Sequence, residues 1–209
     1  MADHSQLAET IEHLASRWAR FDRHVLRHVF PLLAEGRAVS ADCLARASDA
    51  SSSSVTQALD PRAVALDDEG RIVEIFGVSL SRTAHRVTGA PATLFTCCAL
   101  VAHVLPRLLG SKLRVESEDP VNGQSILLSI GPTGVLEIQP EIAMASMIRT
   151  SEHALQENAA LHFCRHVHHF TSRKTVESFV ADDARRHVVT IAELDAAAVC
   201  LYTKIWSRS

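Results

Sequence analysis

The chain has no apolar run of the roughly 18 to 20 residues that a membrane-spanning helix requires. Its opening stretch, MADHSQLAETIEHLASRW, is amphipathic and mixed in charge, unlike a secretory leader. These absences predict a soluble protein of the cytoplasm with no membrane partner. A surplus of either charge is also missing: 21 basic against 24 acidic residues leave a formal net charge of −3. Bulk electrostatics therefore offer no attraction for a polyanion, and nucleic acid binding would need a local basic patch. Dense, regularly spaced cysteines are absent as well. Cys43, Cys97, Cys98, Cys164 and Cys200 are five, an odd number, which argues against a secreted disulfide scaffold and for reduced thiols. Reduced thiols bind soft metals. No internal repeat or low-complexity segment interrupts the chain, since Ser51 to Ser54 fall between two helical patterns and serve as turn and helix start.

What the chain does have is apolar material, 47% of 209 residues, enough for one generous domain or two small ones. Leu7, Ile11, Leu14, Trp18, Phe21, Val25, Val29, Leu32 and Leu33 recur at helical spacing, predicting one long helix or two in succession over residues 6 to 34, broken near Pro31. Ser40 is placed to cap a helix through Leu44 and Ala47, and after a turn at Asp49 to Ser51 a second helix is expected from Ser52 to Leu59. With VALDDEGRIVEIFGVSLSRTAHRV read as two strands about a turn at Asp68 to Gly70, the first 85 residues take the outline of a winged-helix-like unit. From Pro91 the segment TLFTCCALVAHVLPRLLG predicts a core helix that Pro106 kinks or ends. LRVES, QSILLSI, VLEIQ and IAMASMIR then predict an antiparallel meander, and Thr190 with Glu193 forms a capping box for a last helix, Ile191 to Trp206. Helices followed by strands point to an α+β fold: antiparallel sheets surrounded by helices, with a helical, winged-helix-like unit at 1–85 and a core domain at 86–209.

Two cysteine neighbourhoods carry the chemistry: LFTCCALVAHVLPRLLG around Cys98 and LHFCRHVHHFTS around Cys164. A lone cysteine on an apolar helix is ordinarily a small buried hydrophobe. Here, however, the run Cys98-Ala99-Leu100-Val101 with Pro106 and Gly110, and the run Phe163-Cys164-Arg165-His166-Val167-His168-His169-Phe170, together resemble the organomercurial (alkylmercury) lyase family. The resemblance spans about residues 30 to 205 and takes in the Asp67 to Gly70 wing turn. It implies antiparallel sheets surrounded by helices and protonolysis of a carbon-mercury bond, with a small organomercurial as substrate and no organic cofactor. Hg(II) would be a substrate-derived ligand of Cys98 and Cys164, and small thiols would release it. Mercury prefers thiolate, so one cysteine captures the organomercurial and the second weakens its bond to carbon.

The departing carbon needs a proton, a task the family gives to an aspartate, and the resemblance puts Val101 at that position, one helical turn beyond Cys98. Valine carries no proton. His103, His166 and His168 are the candidate relays, with Glu118 and Asp119 as alternatives if their loop covers the site. The loss of the aspartate also opens a second reading: a repurposed relative that binds soft metal or performs a lyase reaction on a non-mercurial substrate in specialised metabolism.

Cys97, the neighbour of Cys98 on an expected helix, points about 100° away and is assigned to core packing, with an auxiliary thiol as the alternative. Arg165 either holds Cys164 as thiolate or reaches solvent. If residues 162 to 168 are extended, His162, Cys164, His166 and His168 share one face and form a zinc or copper site, although the paired spacings of zinc modules are missing. A DNA-binding role for the helix-turn-helix outline is disfavoured, because SSSSVTQAL holds no lysine or arginine.

Overall fold

The computed structural model describes residues 4–53, 55 and 62–206. The expected second helix from Ser52 to Leu59 falls mostly outside the described residues. The chain opens with α1 (His4–Trp18) and α2 (Arg23–Ala34). The break between them lies at residues 19–22, not at Pro31. The Asp22 side chain accepts the His24 N–H at 2.8 Å and starts α2. Pro31 sits inside α2 on its exposed side, one turn from exposed Arg27, whose released carbonyl can turn to water. α3 (Ala41–Ala47) starts as expected, with Ser40 Oγ accepting the Cys43 N–H at 3.1 Å.

Eleven strands follow among the described residues: β1 (Val64–Leu66), β2 (Ile72–Ile75), β3 (Val78–Ser79), β4 (His85–Thr88), β5 (Leu94–Thr96), β6 (Leu113–Glu118), β7 (Ser125–Gly131), β8 (Gly134–Gln139), β9 (Met144–Ile148), β10 (His169–Phe170) and β11 (Arg186–Thr190). They form an antiparallel eight-stranded sheet in the order β1-β2-β3-β5-β4-β6-β7-β8 and a three-stranded sheet in the order β10-β9-β11. The remaining helices are α4 (Ala99–Leu109), α5 (Glu152–His162), α6 (Arg173–Val180) and α7 (Ile191–Trp206). The fold is α+β, as the sequence implies.

Two of the expected strand assignments change. The stretch read as a two-stranded wing supplies four strands, because Phe76 and Gly77 make a two-residue hairpin turn between β2 and β3, with Ile75 opposite Val78. Both turn residues have positive φ, 49° and 76°, as such tight hairpins require. An aromatic in that position gives no turn signal, so IFGVS passes for continuous alternation. The expected four-stranded meander has three members, β6, β7 and β8; β9 leaves it after Pro140, which has no N–H for the ladder, and becomes the centre of the small sheet. All five residues of β9 are buried, as befits a strand covered on both faces.

α4 is the axis of the core. Its residues Ala99 to Arg107 are all buried, and it packs against α7 and α2. Pro106 does not end it, for the helix continues to Leu109 and closes on Gly110 in the left-handed conformation. α7 begins with the predicted capping box: the Glu193 N–H donates to Thr190 Oγ1 at 3.1 Å and the Thr190 N–H to Glu193 Oε2 at 2.7 Å. No helix among the described residues is long and apolar enough to cross a membrane.

Candidate active site

The site is built where β5 hands over to α4. Cys97 and Cys98 lie in the bend between them, not on the helix, and Cys98 is the extended N-cap residue, with φ −146° and ψ 161°. The Cys97 N–H donates to the Gly77 carbonyl at 2.8 Å, and the Ala99 N–H to the Val167 carbonyl at 3.0 Å. These bonds tie the bend to the β2–β3 hairpin on one side and to the Cys164 segment on the other. That segment follows a kink in α5 at Asn158, whose Oδ1 accepts the Leu161 N–H at 3.0 Å and restarts the helix. Buried Phe163 anchors the exit, and Cys164–His166 forms a single 3-10 turn.

The ligand atoms of Cys97, Cys98 and Cys164 all lie within 4.8 Å of one another. The Cys97 thiol donates to Cys164 Sγ at 2.9 Å, well beyond the ~2.05 Å of a disulfide. The sequence pairing of Cys98 with Cys164 thus has a third member. Cys97 does not turn away from Cys98, because the argument from helical spacing fails at a residue that precedes the helix. The extended His162-Cys164-His166-His168 face does not exist either: the 3-10 turn breaks the alternation, and the three cysteines are the one cluster with metal-ligand spacing among the described residues.

A cavity of about 160 Å3 opens beside the thiols. Its apolar walls include Leu14, Trp18, Phe76, Leu100, Val101 and Phe163, and its polar edge is Arg17, Arg62 and Glu74. Trp18 stacks on Phe76 with ring centroids 4.0 Å apart. Gly77 is indispensable to the geometry, since a Cβ there would overlap the Cys97 sulfur. Phe76, with no such freedom, is held at positive φ by its stacking and by the hairpin.

Three thiols in so small a space cannot all ionise. Hydrogen bonds from Cys164 and Cys97 hold the Cys98 thiol well below the ordinary thiol range, and against the opposing effect of burial the Val101 N–H at the start of α4 adds its partial positive charge. That N–H stabilises the sulfur electrostatically while falling short of a cap hydrogen bond. Cys97 is driven well above the ordinary range by donating to Cys164 and Cys98 and by burial. For Cys164, the hydrogen bond from Cys97 favours the thiolate but is outweighed by donation to Cys98, by burial and by the charges of Cys98 and Glu74. Cys98 is therefore the most acidic of the three sulfurs and the first to give up its proton.

None of the three expected histidine relays lines the cavity. His103, fully buried on α4, donates from Nδ1 to Asp195 Oδ1 at 2.9 Å, with its Nε2 3.2 Å from His169 Nε2. Burial holds His103 on the neutral side of its usual pKa despite Asp195. His166 accepts from Arg186 Nε at 3.2 Å, and burial with the nearby Arg186 charge lowers its pKa to about 4. His168 Nε2 bonds the Arg165 carbonyl at 2.8 Å, and its charge, when present, favours the Cys98 thiolate. Arg165 itself is exposed. Of the loop alternatives, Glu118 is exposed and faces Arg82, whereas Asp119 accepts from the Thr171 N–H and hydroxyl and the Val121 N–H, a staple for its own loop. For Cys97 the cluster favours the auxiliary-thiol alternative over core packing alone. Glu74 and the Phe76–Gly77 turn carry no sequence expectation. Of these, only the glycine after an aromatic in an alternating run hinted at a turn.

The model of a family described as MerB, alkylmercury lyase, matches residues 78–203, more than half of the chain. The chain belongs to the alkylmercury lyase family. It is 28% identical over 170 residues to an alkylmercury lyase of Staphylococcus epidermidis, covering 81% of this chain and 77% of that one. To an alkylmercury lyase of Pseudomonas putida it is 30% identical over 150 residues, 71% of this chain and 69% of the relative. A crystal structure described as the mercury-bound form of MerB2 superposes with a TM-score of 0.77 at 17% identity, covering 95% of this chain and 99% of that chain. That last likeness concerns the fold.

Proposed function

We propose that this protein cleaves the carbon-mercury bond of small organomercurials by protonolysis, with Cys98 as the capturing thiolate and Cys164 as the second sulfur. The observation that supports this most is the convergence of both family cysteines, with Cys97, on one cavity in a chain of the alkylmercury lyase family. Cys98 as thiolate displaces the group trans to carbon on R–Hg–X, and X leaves with its electron pair. Cys164 then gives up its proton and binds mercury. The electrons of the carbon-mercury bond pass to carbon, which takes a proton, and Hg(II) remains on sulfur. Cys97 loses its S–H proton to solvent as it bonds Hg(II), and this third sulfur holds the product until small thiols exchange it away. A cavity of about 160 Å3 suits one aromatic ring or a short alkyl group, since an apolar site of roughly 150 Å3 takes benzene.

A second reading keeps the cysteines and drops the reaction: a repurposed relative that binds soft metal or acts on a non-mercurial substrate. It is favoured by Val101, buried against the cavity at the position where the family resemblance calls for an aspartate. The two readings part when the protein is incubated with an arylmercurial and excess small thiol and arene release is followed. The lyase reading expects turnover by the wild type and none from Cys98→Ser or Cys164→Ser. Wild-type protein that retains mercury without releasing arene supports the binding reading instead.

A further inference from the structure

If Val101 stands where a proton carrier belongs, another group must deliver the proton, and the cavity holds a candidate outside the stretch matched by the family model. Glu74 is the only carboxylate among the described residues that line the cavity. It lies on β2 opposite Ser79, in the hairpin whose turn accepts the Cys97 N–H and leaves room for the Cys97 sulfur. Its strand precedes residue 78, where the matched stretch begins. The other acids and imidazoles near the thiols are engaged elsewhere: Asp195 with His103 and Arg107, His166 with Arg186, His168 with Arg165.

We infer that Glu74 is the proton relay of the carbon-mercury cleavage, taking over from the β2–β3 hairpin the task for which the first turn of α4 has only Val101. The inference rests on the lyase reading above. In the step it describes, the Glu74 carboxylate accepts the Cys164 S–H proton as that sulfur bonds to mercury, and the Glu74 carboxylic acid then gives the same proton to the departing carbon. One S–H and one Hg–C bond break, one Hg–S and one C–H bond form, no electrons are gained or lost overall, and Glu74 returns to carboxylate. Two further observations agree with this placement. The Glu74 charge is felt at Cys164, whose proton it would take. Burial raises the Glu74 carboxyl above the ordinary carboxylate range, against a Ser79 hydrogen bond that lowers it, which makes its carboxylate a better proton acceptor. Arg17 and Arg62 share the polar edge of the cavity, with Arg17 donating to the Arg62 carbonyl at 2.9 Å.

The test compares wild type, Glu74→Gln and Glu74→Gln/Val101→Asp with phenylmercury, measuring the protein-phenylmercury adduct by native mass spectrometry and benzene release in excess small thiol. Glu74→Gln should form the adduct as the wild type does yet release benzene about 10² to 10³-fold more slowly, the scale of a lost general acid. Adding Val101→Asp should restore release by at least about tenfold, because it returns a carboxylate one turn from Cys98. Benzene release by Glu74→Gln within twofold of wild type would overturn the role of Glu74 and leave the lyase reading standing. Loss of the adduct in Glu74→Gln, unrecovered in the double variant, would make Glu74 a residue of binding or folding and overturn the proposal as well. Wild-type protein that forms the adduct and releases no benzene would defeat the lyase reading and, with it, the role of Glu74.

Discussion

α4 serves two buried polar clusters that resolve the same physical problem in opposite ways. At its N-terminus three sulfurs face a cavity; along its middle His103 and Arg107 face a closed network. In the network every group but one is answered by another. Arg107 pairs with Asp195 Oδ2 at 2.9 Å, so the neutral His103 must donate from Nδ1 to Asp195 and accept at Nε2 from His169. The His169 Nδ1 then accepts from the Ser117 hydroxyl at 2.9 Å, and Ser117 Oγ accepts from His85 Nδ1 at 2.7 Å. Neutral imidazoles thus leave one consistent proton order through the chain, ending in a bare His85 Nε2. Polar groups that satisfy one another hold a fold together; polar groups turned toward a cavity await a ligand. The contrast supports the proposal that the sulfur end of α4 is the working end and the imidazole middle its foundation.

That contrast can be broken experimentally. The largest effect is expected from Cys98→Ser, which removes the most acidic of the three sulfurs and should lower arene release by at least about 10³-fold while leaving the urea midpoint nearly unchanged. Asp195→Ala should do the reverse: it strands buried Arg107 and His103, costing about 3 to 5 kcal/mol in urea unfolding, while mercury bound per folded molecule holds steady. Gly77→Ala sits between the two clusters in kind. A side chain at φ +76° costs about 1 to 2 kcal/mol, and its Cβ must push the Cys97 sulfur away, so both stability and Hg(II) retention against competing thiol should fall.

The pH dependence is subtler. Burial and neighbouring charge lower His85 to about 3 and push His169 well down, so the folded state keeps these imidazoles neutral while the unfolded chain protonates them near 6.5. Their contribution to stability is therefore complete above pH 6.5 and is lost progressively as pH falls from 6.5 toward about 3 for His85, at up to ~1.4 kcal/mol per pH unit per histidine. Urea midpoints between pH 7 and 5 should show this decline, and His85→Asn, whose amide can replace Nδ1, should flatten it. The smallest effect belongs to Cys200→Ser: this exposed thiol stands apart from the cavity, and neither arene release nor stability should change measurably.

How much of this was legible in the sequence follows from how local each feature is. The Thr190–Glu193 capping box and the Ser40 cap need only a few residues, and both form as predicted. Cys98 and Cys164 were legible because each lies in a motif that carries family information. Cys97 was misjudged for one reason, the placing of the helix start ahead of Cys98 when β5 and a bend occupy that stretch. α5 gave little signal, since EHALQENAALH buries only Leu155 and is interrupted at Asn158. β9 runs almost wholly apolar in sequence and reads as one more strand of the meander, yet its move to the second sheet depends on packing that no local pattern encodes. Glu74 was out of reach altogether, because it comes to line the same cavity as the thiols only through the pairing of β2, β3 and β5.

The most direct test of the thiol cavity as a site of carbon-mercury cleavage is a single turnover with one equivalent of phenylmercury and no added thiol, followed for benzene and by mercury X-ray absorption. One equivalent of benzene should appear, leaving mercury coordinated by sulfur alone, three sulfurs in the wild type and two in Cys97→Ser. Mercury that keeps its carbon neighbour, or that rests on exposed Cys200, would contradict it.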